Sequence, residues 1–393
     1  MKVVDLTEFW SERGGGVRSY LTTKAQSFAE LGVEHRVFAS GPRSEEITLA
    51  SSERSSSRLL RFRGPALPYD PTYHLFAQLG AVRRKLGDER PDVLEIHSPQ
   101  LAALAGLAAA KRSFRVRTLV WHSDFIDTHL SWKVAAHSSE RTARALTEPL
   151  WAWVRAVARQ CSATLVASRW QASKLREHGV PRVTEMPFGI DTRVFRPEAR
   201  DDAFRERFLG RRNAALLVSV GRLAVEKRAD VLIEGFRHLR ARRDALLLVY
   251  GDGPERRDLE ARARGLADVV FLGFERDRRE LARALASADA LVHSGPFETF
   301  GLVVGEARAC ATPVVVADSG AAGELVSPAC SEKYAACDPQ ALAAAIERLL
   351  ARAPAELAAH ARESSRQVLS VSQHFTGLLS FYRELIERSQ EAN

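Results

Sequence analysis

Short apolar runs recur along this chain, and a glycine or small polar turn usually follows before a helical pattern begins. Val3–Phe9, His35–Ala39, Val93–His97, Thr118–His122 and Thr164–Ser168 form one series. Ala215–Val220, Ala245–Tyr250, Val269–Leu272, Ala290–His293 and Pro313–Ala317 form a second. Runs of this length are strands. Strands that alternate with helices make βαβ units, and the crossovers force a parallel sheet covered on both faces. The pattern stops and restarts across Pro187-Phe-Gly-Ile-Asp191 and Pro197, a turn-rich stretch. The sequence therefore predicts an α/β protein with two Rossmann-like, doubly wound parallel-sheet domains facing a central cleft. The first is read over residues 1–190 and the second over 191–370. Residues 371–393 carry a last helix, Phe375–Arg388, expected to cross back to the first domain. Ser44–Ser57 and Gly64-Pro-Ala-Leu-Pro68 read as loops.

Bulk properties narrow the class. A chain of 393 residues is too long for one ordinary core. No run of about 18 apolar residues is present, so nothing in the sequence spans a bilayer. The first residues lack the apolar stretch of a secretory signal and read as a first strand of a cytoplasmic protein. Cys161, Cys310, Cys330 and Cys337 have no CxxC spacing and read as reduced thiols. The net charge of +8 sits unevenly. Residues 1–190 hold 27 basic against 19 acidic side chains, and the rest holds 30 against 30. A basic half beside a neutral half reads either as one domain meeting an anionic partner or as a solvated basic surface. No nucleic-acid recognition motif accompanies the charge.

Four segments carry candidate chemistry. In Glu298-Thr-Phe-Gly-Leu-Val-Val-Gly-Glu306, two carboxylates flank a glycine that opens a helix. Backbone N–H groups at such a helix start bind anions. Glu306, two turns in, can accept two hydroxyl hydrogens from a ribose diol, which leaves Glu298 beside a transferred group. Spacing alone favours the plainer alternative, a helix with one favourable N-terminal acid and one exposed acid. In Gly221-Arg222-Leu-Ala-Val-Glu226-Lys227, Arg222 and Lys227 follow a buried strand and can reach a diphosphate, or they are two solvated bases. Gly14-Gly15-Gly16 follows the first strand and lets a phosphate or sugar approach the backbone. It does not complete G-x-G-x-x-G, because Ser19 stands at the last position, and no acid ends the second strand. A dinucleotide cofactor is therefore not expected. His122 ends a strand and is either a donor to a sugar hydroxyl or phosphate, or a structural ring.

Taken in order, these segments resemble the retaining GT-B glycosyltransferases of family 4. The resemblance spans nearly the whole chain: Gly14–Gly16, His122, Ser168, Pro187-Phe-Gly-Ile-Asp191, Gly221-Arg222 to Lys227, Gly251-Asp-Gly-Pro254, Phe271-Leu-Gly-Phe274, Glu298 to Glu306 and Ala311-Thr-Pro313. It implies that Arg222 and Lys227 hold the donor diphosphate, Glu306 the ribose, and Glu298 the donor sugar near its 3-hydroxyl. It further implies that Phe300, Gly301 and Leu302 contact sugar and phosphate through their amides. The backbone from Phe271 to Phe274 would hold the base, Gly15 and Gly16 the phosphate, and His122 the sugar. Glu298 and His122 are the residues expected at the chemistry. Two departures stand out: Ala311 where the family often has Gly, and Gly305 where a larger apolar residue is commoner. Gly305 would cost its helix about 1 kcal/mol relative to Ala.

The resemblance also implies a hexosyl transfer that retains anomeric configuration. No D-x-D motif is present to hold a metal at the diphosphate, so Arg222, Lys227 and helix amides are expected to serve, with no metal or cofactor. The Glu298-Thr-Phe-Gly and Glu306-Ala-Arg variants look most like bacterial GDP-mannose-dependent α-mannosyltransferases. A UDP-hexose donor, or a sugar-nucleotide epimerase of the same architecture, is the alternative. The acceptor is read as a glycan, a lipid or a lipid-linked sugar. Arg61, Arg63, Arg83, Arg84 and Lys85 are candidates for peripheral contact with an anionic membrane.

Overall fold

The computed structural model describes every residue except 12–14, 68–69, 123, 127–138 and 392–393. The chain divides into two compact units: Met1–Pro187 together with the chain from Val371 onward, and Phe188–Ser370.

Among its described residues the first unit contains ten strands: β1 (Lys2–Thr7), β2 (Glu34–Gly41), β3 (Glu45–Ser51), β4 (Ser56–Arg63), β5 (Ala66–Leu67), β6 (Asp70–His74), β7 (Val93–Ile96), β8 (Val116–Trp121), β9 (Ala163–Val166) and β10 (Val183–Glu185). Eight of them form one sheet in the order β10-β9-β8-β7-β1-β2-β4-β3. All its pairings are parallel but the last, β3 against β4. β1 lies between β2 and β7. The order thus runs outward in both directions from the first strand, and the loops after β1 and β7 diverge at a topological switch point. The central strands are buried along their length because helices cover the sheet. The helix Val371–Glu391 packs on the helix Gly16–Glu30. Phe375 meets Phe28 edge-on at 5.7 Å, and Tyr20 Oη lies 3.2 Å from His374 Nε2.

Two loop expectations are corrected here. Residues 44–57 contain β3, a half-exposed edge strand whose Glu45 pairs with Arg61 at 2.8 Å and whose Glu46 pairs with Arg58 at 2.9 Å. Its Ser- and Glu-rich composition reads as a loop because an edge strand needs little apolar surface and is protected by charge. The stretch at 64–68 likewise contributes β5 to a two-stranded antiparallel pair with β6. The same ion pair leaves the Arg61 side chain only 10% exposed. Arg61 is therefore committed to Glu45 and is not a surface base for an anionic partner.

The second unit holds six strands: β11 (Ala215–Val220), β12 (Ala245–Tyr250), β13 (Val269–Gly273), β14 (Ala290–His293), β15 (Val314–Ala317) and β16 (Ser331–Tyr334). They form one parallel sheet in the order β13-β12-β11-β14-β15-β16. Connectivity reverses between β11 and β14. Ligands of open parallel sheets bind beyond the carboxyl ends of the strands at such a reversal. Among the described residues, no helix is long and apolar enough to cross a membrane.

Candidate active site

The turns after β11, β12 and β13 are stacked on one another, and glycine is what allows it. Gly251 has φ of 139°, and a Cβ there would lie 1.8 Å from the carbonyl oxygen of Gly221. Backbone bonds then join the layers: Gly251 N–H donates to Gly273 O at 2.7 Å and Leu223 N–H to Asp252 O at 3.0 Å. The Gly221–Lys227 turn is thereby held at the edge of the reversal, with Arg222 exposed on it. Phe271 lies in β13 and Phe274 projects into solvent just beyond it, at the outer edge of the same sheet.

The turn after β14 comes from the other side of the reversal. It brings Glu298 to Lys227, whose ammonium donates to Glu298 Oε1. His293 stands behind them at the end of β14, with Nε2 3.6 Å from the same oxygen. Ser294 Oγ donates to the Lys227 carbonyl at 2.8 Å and ties the two turns together. Burial pushes the Glu298 carboxyl up, but Lys227 and His293 outweigh it and hold the group far below the usual carboxylate range. Glu298 is therefore an anion at any physiological pH.

Gly301, with φ of 88°, caps the helix Leu302–Ala309, a conformation that favours glycine. The first N–H groups of a helix have no partner within it; Val304 and Gly305 donate to the Gly301 carbonyl, which leaves those of Leu302 and Val303 as available donors. Phe300 is buried edge-on against Phe188 at 5.3 Å, which fixes the approach to this helix start. Glu306 is buried on the same helix and paired with Arg278, whose Nη2 lies 2.7 Å from Oε1. Burial raises the Glu306 pKa and Arg278 only partly opposes it. Arg278 also lies over the Phe195 ring, 4.6 Å from its centroid. Sequence reasoning missed Arg278 and His293. His293 sits beside a singled-out motif at the end of a strand, where a site residue is expected. Arg278 gives no such signal.

Gly305 lies on this helix for a steric reason. A Cβ there would come within 2.7 Å of Ile190 Cδ1. The helix-propensity cost expected at Gly305 accompanies close packing that a larger side chain would disrupt.

In the first unit, Gly14 lies outside the described residues. Gly15 caps the helix that begins at Gly16, at the end of the loop after β1. His122 follows β8, partly buried, with Nε2 2.7 Å from Nδ1 of His97. The Tyr20 ring packs against it at 5.3 Å. Burial first, and then the neighbouring His97 and Lys24, push the His122 pKa well below that of an ordinary imidazole. Asp5, Glu95 and His97 bring potential ligand atoms within 4.8 Å of one another. The space between the two acids is taken by the Lys24 ammonium, 2.8 Å from Asp5 and 2.7 Å from Glu95. The cluster is ion-paired around an amine.

Residues 14–194 match the family model described as Glycosyltransferase Family 4, and residues 214–352 match Glycosyl transferases group 1. A GDP-mannose-dependent alpha-(1-6)-phosphatidylinositol dimannoside mannosyltransferase of Mycobacterium tuberculosis is 31% identical over 358 residues, 90% of this chain and 88% of that one. The chain belongs to glycosyltransferase family 4. A GDP-mannose-dependent alpha-mannosyltransferase of Corynebacterium glutamicum is 27% identical over 329 residues, covering 83% of this chain and 75% of that one. Among solved structures, a sucrose-phosphate synthase from Thermosynechococcus elongatus superposes with a TM-score of 0.80 at 21% identity, over 98% of this chain and 99% of that one. This family 4 glycosyltransferase thus has the GT-B fold, and it is a hexosyltransferase.

Proposed function

We propose that the chain transfers mannose from GDP-mannose, with retention and without a metal ion, to a hydroxyl of a glycan or lipid-linked acceptor. The observation that carries the reading is the Lys227–Glu298 pair at the strand-order reversal, where a largely buried anion and a more exposed cation meet just before the start of a helix. Breaking the sugar–phosphate bond develops negative charge on the diphosphate. Arg222, Lys227 and the N–H groups of Phe300, Gly301 and Leu302 stabilise that charge. Glu298 supports the positive charge that grows at the anomeric carbon and receives the sugar hydroxyls. Glu306 takes the ribose hydroxyls, the backbone from Phe271 to Phe274 the base, Gly15 and Gly16 the phosphate, and His122 a sugar hydroxyl. The retained face places the acceptor hydroxyl beside the leaving phosphate, which accepts its proton.

The choice of donor is supported by two relatives whose names state GDP-mannose. The lipid class of acceptor is supported by the phosphatidylinositol in one of those names. The basic surplus of residues 1–190 supports docking on an anionic membrane face. That contact predicts sedimentation with anionic vesicles that added salt abolishes.

Thermal unfolding with GDP, UDP, GDP-mannose and UDP-glucose, each with EDTA, tests the donor. Ligand at 100 times its dissociation constant stabilises by about 2.7 kcal/mol. Stabilisation by the guanine pair alone, unchanged by EDTA, is the expected result. Stabilisation by the uridine pair would overturn the donor, and an inverted anomer in the product by NMR would overturn retention.

A further inference from the structure

Beneath His122 the first unit buries a set of charges that the reaction as proposed does not use. Lys24 Nζ, on the helix Gly16–Glu30, bonds Asp5 Oδ1 of β1 at 2.8 Å and Glu95 Oε1 of β7 at 2.7 Å, and all three side chains are fully buried. Tyr382, on the last helix, donates to Glu95 and lies 3.3 Å from Lys24 Nζ. Thr118 Oγ1 of β8 donates to the same oxygen as Tyr382, Glu95 Oε2, at 3.1 Å. Tyr20 and His374 close the set, their side chains 3.2 Å apart. Two carboxylates and one ammonium, all fully buried, leave one negative charge uncompensated among them. A buried charge without a counter-charge is costly, and the usual relief is uptake of a proton.

Two imidazoles are near enough to carry it. His35 Nε2 lies 2.8 Å from Asp5 Oδ2 and its Nδ1 lies 2.7 Å from Ser57 Oγ. A neutral ring satisfies both contacts, since Nε2–H donates to Asp5 and the Ser57 hydroxyl donates to Nδ1. His97 is placed differently. Its Nε2 is 3.4 Å from Asp5 Oδ1 and 3.4 Å from Glu95 Oε1, between the two acids. That nitrogen makes no hydrogen bond within normal distance but lies equally close to both acids, so the two carboxylates together favour a proton on it. Its other nitrogen, Nδ1, faces His122 Nε2 at 2.7 Å.

We propose that His97 is a positioning residue that holds the second proton of the cluster and donates Nδ1–H to His122 Nε2, fixing His122 as a neutral ring with its proton on Nδ1. The tautomer of an imidazole is set by the hydrogen bond that its other nitrogen makes. With Nε2 occupied as an acceptor, His122 presents a donor, which suits a sugar hydroxyl or a phosphate oxygen. The opposite tautomer would present a lone pair to the phosphate. The use of this arrangement rests on the reading that His122 meets the donor; the protonation itself does not.

The full-length protein labelled with [15N]histidine tests it by long-range 1H–15N correlation at pH 7 to 8, with His97→Asn and His122→Asn for assignment. The expected spectrum has both His97 nitrogens protonated and His122 protonated at Nδ1 only. A neutral His97, or a proton on His122 Nε2, overturns the proposal. Glu95→Gln removes the uncompensated charge and should return His97 to a neutral ring; a His97 that stays charged in that variant overturns the charge argument. In kinetics, His97→Asn keeps an N–H toward His122 and should hold kcat within about threefold, whereas His97→Leu should lose about tenfold to a hundredfold in kcat with little change in donor KM. If His122→Ala turns over normally while the spectra come out as expected, the protonation stands and the placing of His122 at the donor falls.

Discussion

The two units solve the same problem, pairing a lysine with glutamate or aspartate, in opposite ways. In the first unit Lys24, Asp5 and Glu95 are all fully buried, and every partner comes from the core around them. In the second unit each of the two pairs at the site, one of lysine and one of arginine, has an anion that is largely buried and a cation that reaches outward. Glu298 is 15% exposed against 33% for Lys227, and Glu306 is 6% exposed against 52% for Arg278. The difference is one of access. A sealed pair can position neighbours but cannot change partners. A pair with a buried anion and an outward cation can open when a diphosphate or a ribose arrives, because the cation can leave without desolvating anything new.

Removing Lys24 is the strongest way to break this contrast. Lys24→Met leaves two carboxylates buried without their ammonium and should cost about 3–5 kcal/mol. Urea denaturation read by tryptophan fluorescence suits the measurement, because all six tryptophans lie within residues 1–187 and report on the first unit alone. A loss below 1 kcal/mol would mean that the cluster is not held by Lys24. Lys227→Ala should do the reverse. Its partner keeps His293 and some solvent, so stability should change by about 1 kcal/mol or less. Turnover of the donor should fall about 10²- to 10³-fold, the usual cost of one group aimed at developing negative charge. Collapse of the fold together with activity would make the second pair structural as well.

Acid should separate the units next. His35, His122 and His374 all titrate below the ordinary imidazole value in the folded protein, burial being the first cause in each, with His374 held at about 4. Below about pH 6.5 the unfolded chain therefore binds protons that the native first unit refuses. The stability tied to these three rings is whole above that pH and is lost as pH falls, by up to about 1.4 kcal/mol per pH unit for each histidine. In the second unit the Glu298 carboxyl is held far below its unfolded value, so its contribution is present above about pH 4.5 and lost only below it. Glu306, raised by burial, runs the other way and favours the folded unit as pH falls toward its own range. Tryptophan fluorescence should thus change at a higher pH than the last step of far-UV circular dichroism. A single coincident midpoint would show that the units do not differ in this way.

How much of this was legible in the residues follows from the same physics. Ala215–Val220, Ala245–Tyr250 and Ala290–His293 read as strands with the bounds the structure gives, because a strand covered on both faces is a continuous apolar run. The turns bearing Arg222–Lys227 and Glu298 read as turns for the same reason: each follows such a run. β3 was not legible, since a half-exposed edge strand carries little of the apolar pattern by which the buried strands are read. Nor was the Lys24 cluster. Asp5, Lys24, Glu95 and Tyr382 are scattered over most of the chain, and only the sheet order brings them together. Arg278 is one arginine among many until the fold sets it against Glu306.

Two small changes in the second unit sharpen the contrast between local preference and packing. Gly305→Ala should gain about 1 kcal/mol of helix propensity, yet its Cβ would press on Ile190, and overpacking costs about 1–3 kcal/mol. The expected net is a loss of about 1 kcal/mol by urea denaturation. Ala311 shows the converse. Its φ is 56°, a left-handed conformation that disfavours a side chain. Ala311→Gly should stabilise by about 0.5 kcal/mol, the relief of strain offset in part by the greater freedom of glycine in the unfolded chain.

The smallest effect calibrates the rest. Arg58 and Glu46 pair at 2.9 Å on the exposed edge of the first sheet, with side chains 47% and 45% exposed. Their distance matches that of Lys24 to its acids almost to the tenth of an ångström, so burial is what separates the two cases. Water competes for both charges at the edge and screens what remains, which leaves about 0.5 kcal/mol or less for Arg58→Ala. A loss of 2 kcal/mol there would mean that β3 depends on the pair for its register. The edge would then belong with the sealed cluster, and exposure would no longer sort the ion pairs of this protein.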